Sequence, residues 1–500
     1  MYQLALAFSA LCFAAVTFAF VRSRAFSAFH PLTVYLIFHG FVFVIRPIIA
    51  YLGEFTLVYR LYQFTPSPSD RITALLVSTL GLLAFAATCW RAGPNAMAFR
   101  RDRVAEAEQR RLQVPFLWVA ALCIPIGIYS LATVWETAMS TGAAFSNMVR
   151  DGVTGTAFND GTSGYLVEAQ LMLASCAAII AWLFRFRIYA LLPLVLFVLY
   201  RAGTGSRGAF ITALFSVLLF YLYDRGKRWP PALILAAVPL ALLAFTAVGD
   251  DRGASIRRTV SSDGSSELFS PNRDGERLFE GMDFANLEYL EFMIYVVPQR
   301  SGTYGYFNGV LQVFTEPVPR EIWKDKPIGP PFERINIFDY GNPRGITRSL
   351  PGEGWFALGW LGTAIWCGAW GWALGAIYRR FVNGSQSTLQ VAAYMVFIPI
   401  LIVAFRDGQL VTVFRQGLFF MMPIALWWAL ARLLGIPSAS AVRRVLDRRA
   451  GSATPRHQPG VTDGGDGQPA RGVALAPPPA VLRRKLALAE VAARSQITPD

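Results

Sequence analysis

Charged side chains are scarce in this sequence. Asp, Glu, Lys and Arg make up 16% of its 500 residues, against roughly 25% in soluble domains. Hydrophobic residues make up 54%, and a soluble fold cannot bury that much apolar surface because single cores stop growing near about 250–300 residues. The composition excludes a soluble enzyme and a disordered chain. It predicts an all-α polytopic membrane protein, because the apolar runs are near-continuous and about twenty residues long.

Cysteine and histidine are also rare. The five cysteines all fall inside apolar runs, which excludes a disulfide framework in the loops. None of the three histidines lies in the long polar segment 250–354, and no His/Cys/Asp cluster has metal-ligand spacing. We therefore expect no metal, no cofactor and no catalytic Cys/His or Ser/His/Asp set in that segment. The cysteines are Cys12, Cys89, Cys123, Cys176 and Cys367.

Lysine occurs only four times, so arginine carries almost all of the positive charge. The net charge of +14 fits an excess of basic residues in cytoplasmic loops better than a nucleic-acid partner. Eleven apolar runs have the length of a membrane-spanning helix. They cover 2–21, 31–52, 72–90, 114–137, 165–184, 187–202, 208–223, 230–249, 355–377, 387–405 and 411–433.

The basic residues alternate between loops. One set of short loops, together with the C-terminal tail, is rich in arginine, and the positive-inside rule makes this set cytoplasmic. The N-terminus is then outside the cell membrane and the C-terminus is cytoplasmic, as an odd number of spans requires. The first run lacks a charged start and a cleavage site, so we interpret it as a retained helix and not as a removed signal peptide.

Four regions follow from this pattern. Residues 1–249 hold spans one to eight, 250–354 form a large external loop, 355–433 hold spans nine to eleven, and 434–500 form a disordered basic cytoplasmic tail. The large loop has twelve basic and sixteen acidic side chains. Its one good amphipathic stretch, Asp283–Val297, is expected to rest against the membrane surface.

Arginines in short external turns are informative, because the positive-inside rule predicts few positive charges in such turns. Arg207 and Arg406 occupy such turns, and Arg415 follows the second of them. A guanidinium binds phosphate oxygens bidentately, and the glycines around Ser206 let backbone N–H groups approach an anion. These residues predict a phosphate or pyrophosphate site. Snorkelling or helix-ending charges are the alternative explanation.

The segment 317–327 is the most distinctive of the large loop. Its prolines fix an extended path, Arg320 and Lys326 supply cations, and Trp323 offers an aromatic surface on which a sugar can stack. A rigid surface loop is the other interpretation. Farther along, Arg348 and Glu353 precede the ninth span. Glu353 is either a general base in a dry cleft or a carboxylate favoured by a helix N-terminus.

Several of these motifs resemble the bacterial O-antigen and exopolysaccharide repeat-unit polymerases (Wzy-type), within the wider polymerase and ligase group. The resemblance covers roughly residues 190–430. It is carried by Gly-Ser-Arg-Gly at 205–208, Gly-Thr-Tyr at 302–304, Pro-Arg-Glu-Ile-Trp-Lys-Asp-Lys-Pro at 319–327, and Gly352-Glu353 with Phe356, Gly359 and Gly362.

The resemblance implies a GT-C-like architecture and a metal-independent glycosyltransferase of the bacterial inner membrane that works at the periplasmic face. The N-terminus and the large loop 250–354 are then periplasmic. Such enzymes join undecaprenyl-diphosphate-linked oligosaccharide units, the donor and the acceptor both being lipid-linked, alongside a flippase and a chain-length regulator. By this match Arg207 and Arg320 bind the diphosphate, with Arg348, Arg406 and Lys326 as supporting cations. Glu353 is the candidate base by its position and chemistry.

Two alternatives remain. The related O-antigen ligases use a histidine in the large loop, which this loop lacks. A transporter or flippase of lipid-linked oligosaccharide would place ionisable groups near the middle of the bilayer, whereas here they cluster on one face.

Overall fold

The computed structural model describes most of the chain. The described residues are 1–141, 148–150, 157–159, 164–203, 208–234, 279–280, 284–318, 322–323, 326, 330–332, 335–341, 343, 348–443 and 445. The predicted site residues Ser206, Arg207 and Arg320 lie outside them, as do most of the predicted eighth span and of the predicted tail.

The described chain is built almost entirely from helices. They are α1 (Tyr2–Val21), α2 (Pro31–His39), α3 (Arg46–Leu52), α4 (Leu57–Tyr62), α5 (Pro68–Ala92), α6 (Arg103–Thr141), α7 (Gly164–Glu168), α8 (Leu171–Leu183), α9 (Ile188–Gly203), α10 (Gly208–Asp224), α11 (Asn286–Val296), α12 (Asn308–Thr315), α13 (Ser349–Asn383), α14 (Thr388–Asp407) and α15 (Leu410–Leu433). A π-helical stretch, Gly40–Ile45, joins α2 to α3, and Ile337–Tyr340 forms a 3-10 turn. The all-α prediction did not include one short antiparallel strand pair, β1 (Met148–Arg150) and β2 (Ala157–Asn159). In its register, Val149 is paired with Phe158.

Seven helical segments of the described chain are long and apolar enough to cross a membrane. They are Tyr2–Val21, Pro31–Leu52, Pro68–Ala92, Arg103–Glu136, Tyr165–Leu183, Thr388–Asp407 and Leu410–Leu433. Each corresponds to a predicted span. The predicted sixth and seventh spans are the shorter apolar helices Ile188–Arg201 and Gly208–Asp224. The protein is therefore a polytopic helical membrane protein.

Large apolar side chains stay exposed along the outside of the bundle. On α9, Leu192, Val195 and Leu199 point outward at helical spacing, and α6 exposes Trp118 and Leu122 in the same way. Rows of this kind on an isolated chain mark an apolar partner surface. The hydrocarbon of a bilayer covers such rows in a polytopic protein.

The loops lie at two opposite ends of the helix bundle, and their mutual contacts show which loops share an end. At one end, the start of α5 contacts the segment that follows α11, through a hydrogen bond from Gln299 Nε2 to Asp70 Oδ1 of 3.0 Å. We call this end, which carries the described residues of 284–348, the loop face. At the other end, Ala28 N donates to Arg228 O and Tyr378 Oη donates to Asn95 O. We call this end, with residues 22–30, 93–102 and 225–229, the basic face.

The start of the predicted tail packs on the basic face. The Glu108 carboxylate accepts hydrogen bonds from Thr388 N (2.7 Å) and Ala439 N (2.9 Å). Arg443 makes two hydrogen bonds to Asp102, of 2.8 and 2.9 Å, which hold the pKa of the Asp102 carboxyl below its usual value. These bonds fasten the chain just beyond α15 to the helix that begins at Arg103.

Helices α5 and α13 form the closest helix pair of the bundle. A Cβ at Gly371 would lie 2.4 Å from Phe85 O, and one at Gly375 would lie 2.3 Å from Cys89 O. The Gly-x-x-x-Gly spacing therefore lets the two backbones approach to a distance that side chains forbid. Helix α13 is not one of the seven candidate spans of the described chain.

Helix α13 folds back on itself near its start. Leu358 and Gly359 have non-helical backbone angles, with Gly359 at φ +59°, and they separate a first arm, 349–357, from a long second arm, 360–383. The arms touch: a Cβ at Gly354 would lie 2.5 Å from Thr363 Cα, and one at Gly362 would lie 2.2 Å from Gly354 O. The predicted ninth span, 355–377, therefore begins too early, because its first residues belong to the first arm.

The carbonyl groups freed at this fold-back have partners. Gly305 N donates to Phe356 O (2.8 Å) and Tyr306 N donates to Ala357 O (2.9 Å). Thr363 Oγ1 donates to Gly359 O at 3.1 Å. Because these bonds replace the missing intrahelical ones, the first arm is held as a rigid turn at the loop face.

We expect Gly362→Ala to destabilise the protein by about 1–3 kcal/mol or more, because the added methyl would overlap the Gly354 carbonyl and force the arms apart. Gly368→Ala on the same helix is the control, since the nearest atom to its Cβ is Thr88 Cγ2 at 3.7 Å. The measurement is the free energy of unfolding in detergent. Equal stability of the two variants would contradict the fold-back.

The amphipathic stretch of the large loop is a helix, but the expectation that it rests on the bilayer is wrong. In α11, residues from Asn286 to Ile294 are all buried within the protein. The helix packs against α5, the first arm of α13 and the π-helical stretch. Its carboxylates face inward, because arginines and a tyrosine on the spanning helices and α4 give them partners.

Candidate functional site

The first arm of α13 carries Glu353 at the loop face. Arg348 Nη1 lies 3.1 Å from Glu353 Oε2, and both side chains are buried, with 11% and 6% of their surface exposed. The Arg348 guanidinium also lies 3.8 Å from the centre of the Phe356 ring. We call these three residues the Glu353 site. The carboxylate is thus desolvated and held in place by a charged hydrogen bond.

The start of α12 closes over the other oxygen of this carboxylate. A Cβ at Gly309 would lie 3.2 Å from Glu353 Oε1. Asn308 Oδ1, in the same turn, is buried and has no hydrogen-bond partner among the described residues. Glu353 Oε1 therefore faces a polar turn and is not engaged by Arg348, whose bond is to Oε2.

A second charged group, which we call the Arg415 cluster, lies at the other end of α12. Arg415 lies 3.4 Å from the Glu168 carboxylate and 3.9 Å from that of Glu316. Lys326 Nζ donates to the Glu316 carbonyl oxygen at 2.8 Å, and Tyr165 Oη donates to the same oxygen at 2.7 Å. The cluster is separated from Glu353 by the length of α12, about 10 Å at 1.5 Å per residue.

The Arg415 guanidinium is only loosely held. Its contacts are long for charged hydrogen bonds, 37% of the side chain is exposed, and Nε has no hydrogen-bond partner among the described residues. Arg201, nearby on α9, donates from Nη1 to Gln170 Oε1 at 2.7 Å. The cluster thus offers one exposed and weakly bonded guanidinium, that of Arg415, to an incoming anion.

Helix α11 is fixed by a third charged group, the α11 network of Arg46, Tyr59, Arg71, Glu288 and Glu291. The Arg46 guanidinium pairs with Glu288, and both are buried. Tyr59 Oη donates to Glu291 at 2.7 Å, and Arg71 lies 3.7 Å from Glu291. The network therefore ties the large loop to the second and third spans.

Helix α11 also touches the segments that carry the candidate site residues. Trp355 Nε1, in the first arm of α13, donates to Val297 O at 2.9 Å, and Asn286 Nδ2 donates to Arg406 O at 3.2 Å. Gly408 packs on the Ser349 backbone, where a Cβ would lie 2.0 Å from the carbonyl oxygen. The end of α14 and the start of α13 are thus held against one buried helix.

The structure brings some of the predicted site residues together. Arg348 and Glu353 form an ion pair, and Lys326 and Arg415 meet at Glu316. Trp323 is 38% exposed, and its carbonyl accepts from Lys326 N at 3.1 Å. Arg406 is tied by its backbone to α11. Convergence of Arg207 and Arg320 on these groups stays a prediction, because both lie outside the described residues.

Sequence reasoning did not assign a role to several carboxylates of the loop face: Glu168, Glu288, Glu291 and Glu316. The spacing of Glu288 and Glu291, three residues apart in an apolar helix, was a usable signal, because such a pair lies on one helix face and needs cations opposite. The partners of Glu168 and Glu316 come from distant segments and leave no local pattern. Among the described residues, no group of three or more His, Cys, Asp or Glu side chains is placed to hold a metal ion.

Burial, and secondarily the charge of Glu288, raise the pKa of Glu291 to about 8. An unfolded glutamate titrates near about 4.3. Between these values the folded state holds a proton that the unfolded state lacks, so the stability of the protein falls as the pH rises from about 5 to about 8. We expect Glu291→Gln to flatten this slope, measured as the unfolding temperature against pH. An unchanged slope in the variant would contradict this assignment.

Comparison with known proteins gives no family for this chain: no protein-family model, no curated protein and no solved structure matches it.

Proposed function

We propose that the protein is a glycosyltransferase that joins lipid-diphosphate-linked oligosaccharide repeat units into O-antigen or exopolysaccharide at the periplasmic face of a bacterial inner membrane. The observation that carries the proposal is the Glu353 site. A buried carboxylate, held on one oxygen by Arg348, has its other oxygen turned to the polar start of α12. The resemblance of segments 205–208, 302–304, 319–327 and 352–362 to repeat-unit polymerases supports the same activity.

The site chemistry supports glycosyl transfer in the following way. The acceptor hydroxyl oxygen forms a bond to the anomeric carbon of the donor sugar, and the bond from that carbon to the diphosphate oxygen breaks. The diphosphate leaves with the electron pair, and the hydroxyl proton passes to Glu353 Oε1. Arg348 keeps the carboxylate oriented through Oε2.

The leaving diphosphate needs positive charge as its own negative charge develops. Arg415 and Lys326 lie about one α12 length from Glu353. The Arg415 guanidinium has only long contacts of 3.4 and 3.9 Å, whereas the Lys326 ammonium donates a 2.8 Å hydrogen bond. In this proposal the diphosphate displaces Glu316 from Arg415, while Arg207 and Arg320 supply further guanidinium groups. Trp323 and Arg406 are proposed to contact the sugars and the phosphates, respectively.

The test is an assay of the purified full-length protein in proteoliposomes that contain a defined undecaprenyl-diphosphate oligosaccharide. We expect a ladder of products at whole multiples of the repeat unit and release of undecaprenyl diphosphate. Transfer only to added lipid A-core would assign the chain to the ligases. Movement of a labelled oligosaccharide lipid across the bilayer without any ladder would assign it to the transporters. Either result would overturn the proposal.

A further inference from the structure

The amphipathic helix α12 presents an apolar row away from the bundle. Leu311 is 45% exposed and Phe314 is 75% exposed, and the two lie three residues apart on one helix face. No residue of α12 is buried. Two apolar residues farther along the large loop are exposed as well, Ile322 at 79% and Phe332 at 70%.

The helix that carries this apolar row packs against the lipid-facing side of the bundle. Helix α12 packs against α15, which is a candidate span and leaves Phe414 and Leu418 exposed one turn apart. Because α12 adjoins a surface that hydrocarbon covers, the acyl chains of the bilayer are the apolar partner nearest to its exposed row. We therefore take acyl chains as the occupant of this row.

Polar and aromatic groups border the row in the arrangement that a membrane interface favours. Tyr306 and Trp323, which flank the helix in sequence, are both partly exposed, and such aromatic side chains concentrate where hydrocarbon meets headgroups. Lys326 and Arg415 lie at the C-terminal end of α12, where their cations suit the phosphates of lipid headgroups.

We propose that α12 lies in the membrane interface at the loop face, with Leu311 and Phe314 inserted among the acyl chains of that leaflet. The inference does not depend on the glycosyl-transfer chemistry. Its consequence is spatial: the N-terminal turn of α12 adjoins Glu353, so the Glu353 site sits at the headgroup level and not in a loop domain raised above the bilayer. A lipid-linked substrate then reaches the site without leaving the membrane.

The test uses the full-length protein in nanodiscs of phosphatidylcholine and phosphatidylglycerol, with Cys12 replaced by serine and a nitroxide label on Phe314→Cys. We expect the label to collide more often with oxygen than with a water-soluble nickel chelate, which reports insertion. A label on Asp339→Cys, an exposed loop-face position, is the aqueous control and should show the reverse. Equal nickel exposure at the two positions would overturn the proposal.

A second measurement does not depend on the label. Benzoylphenylalanine at position 314 is expected to crosslink to phospholipid on irradiation. A crosslinked dimer would show that a second copy of the chain covers the row, and the absence of any lipid adduct in bilayers would likewise overturn the membrane assignment.

Discussion

Glu353→Gln is expected to reduce the rate of repeat-unit joining by about 10²–10⁴-fold, the usual contribution of a general base. Glutamine keeps the shape of the side chain and can still accept from Arg348, so the first arm of α13 stays folded. It cannot take up the proton of the acceptor hydroxyl. The measurement is the rate of ladder formation in proteoliposomes, with binding of the lipid-linked donor measured separately.

The control for this variant is Glu54→Gln, the same substitution at an exposed position of the loop face. It should leave the rate within twofold of the wild type. Loss of donor binding in Glu353→Gln, with an unchanged rate at saturating donor, would assign Glu353 to substrate binding. Full activity of the variant would remove Glu353 from the mechanism.

Arg46→Ala is expected to lower the free energy of unfolding by about 3–5 kcal/mol, because it leaves the buried Glu288 carboxylate without its cation. Burying this ion pair already costs free energy of folding, because three of its polar atoms have no hydrogen-bond partner in the described part of the chain. These atoms are Arg46 Nε, Arg46 Nη2 and Glu288 Oε2. The measurement is denaturant unfolding of the purified protein in detergent.

The double variant Arg46→Met with Glu288→Leu separates the two causes of this loss. Because it removes both charges and keeps apolar volume, it should recover most of the stability. Arg60→Ala, at an exposed loop-face position, should change the stability by less than about 0.5 kcal/mol. A double variant as unstable as Arg46→Ala would show that the ion pair itself, and not the unpaired charge, sets the stability.

The sequence was sufficient to predict a polytopic membrane protein, because that prediction depends on the composition of the whole chain. Seven predicted spans match helices of sufficient length and hydropathy. Local signals also set several helix starts: Ser67 with Asp70 and Ser387 with Gln390 form capping boxes at the starts of α5 and α14. These features depend only on residues that are neighbours in sequence, so they can be recognised from the sequence alone.

The fold-back of α13 and the burial of α11 were not predictable in the same way. The glycines at 354, 359 and 362 look like those of any tightly packed span, and only the contact between Gly354 and Thr363 makes them a hairpin. Likewise, α11 has the amphipathic pattern of an interfacial helix. Its burial depends on Arg46 and Arg71, more than two hundred residues away in sequence. The interfacial role falls to α12, a shorter helix whose pattern was less conspicuous.

The two helices of the large loop differ in how firmly they are held. Helix α11 is almost entirely buried and is held by the Arg46–Glu288 ion pair, whereas no residue of α12 is fully buried. Segments with few buried contacts open at low free energy, and fully packed segments open only when the whole protein does. The amide hydrogens of α12 should therefore exchange with solvent orders of magnitude faster than those of α11. Any local opening of the loop face is then expected to displace α12 while α11 stays in place.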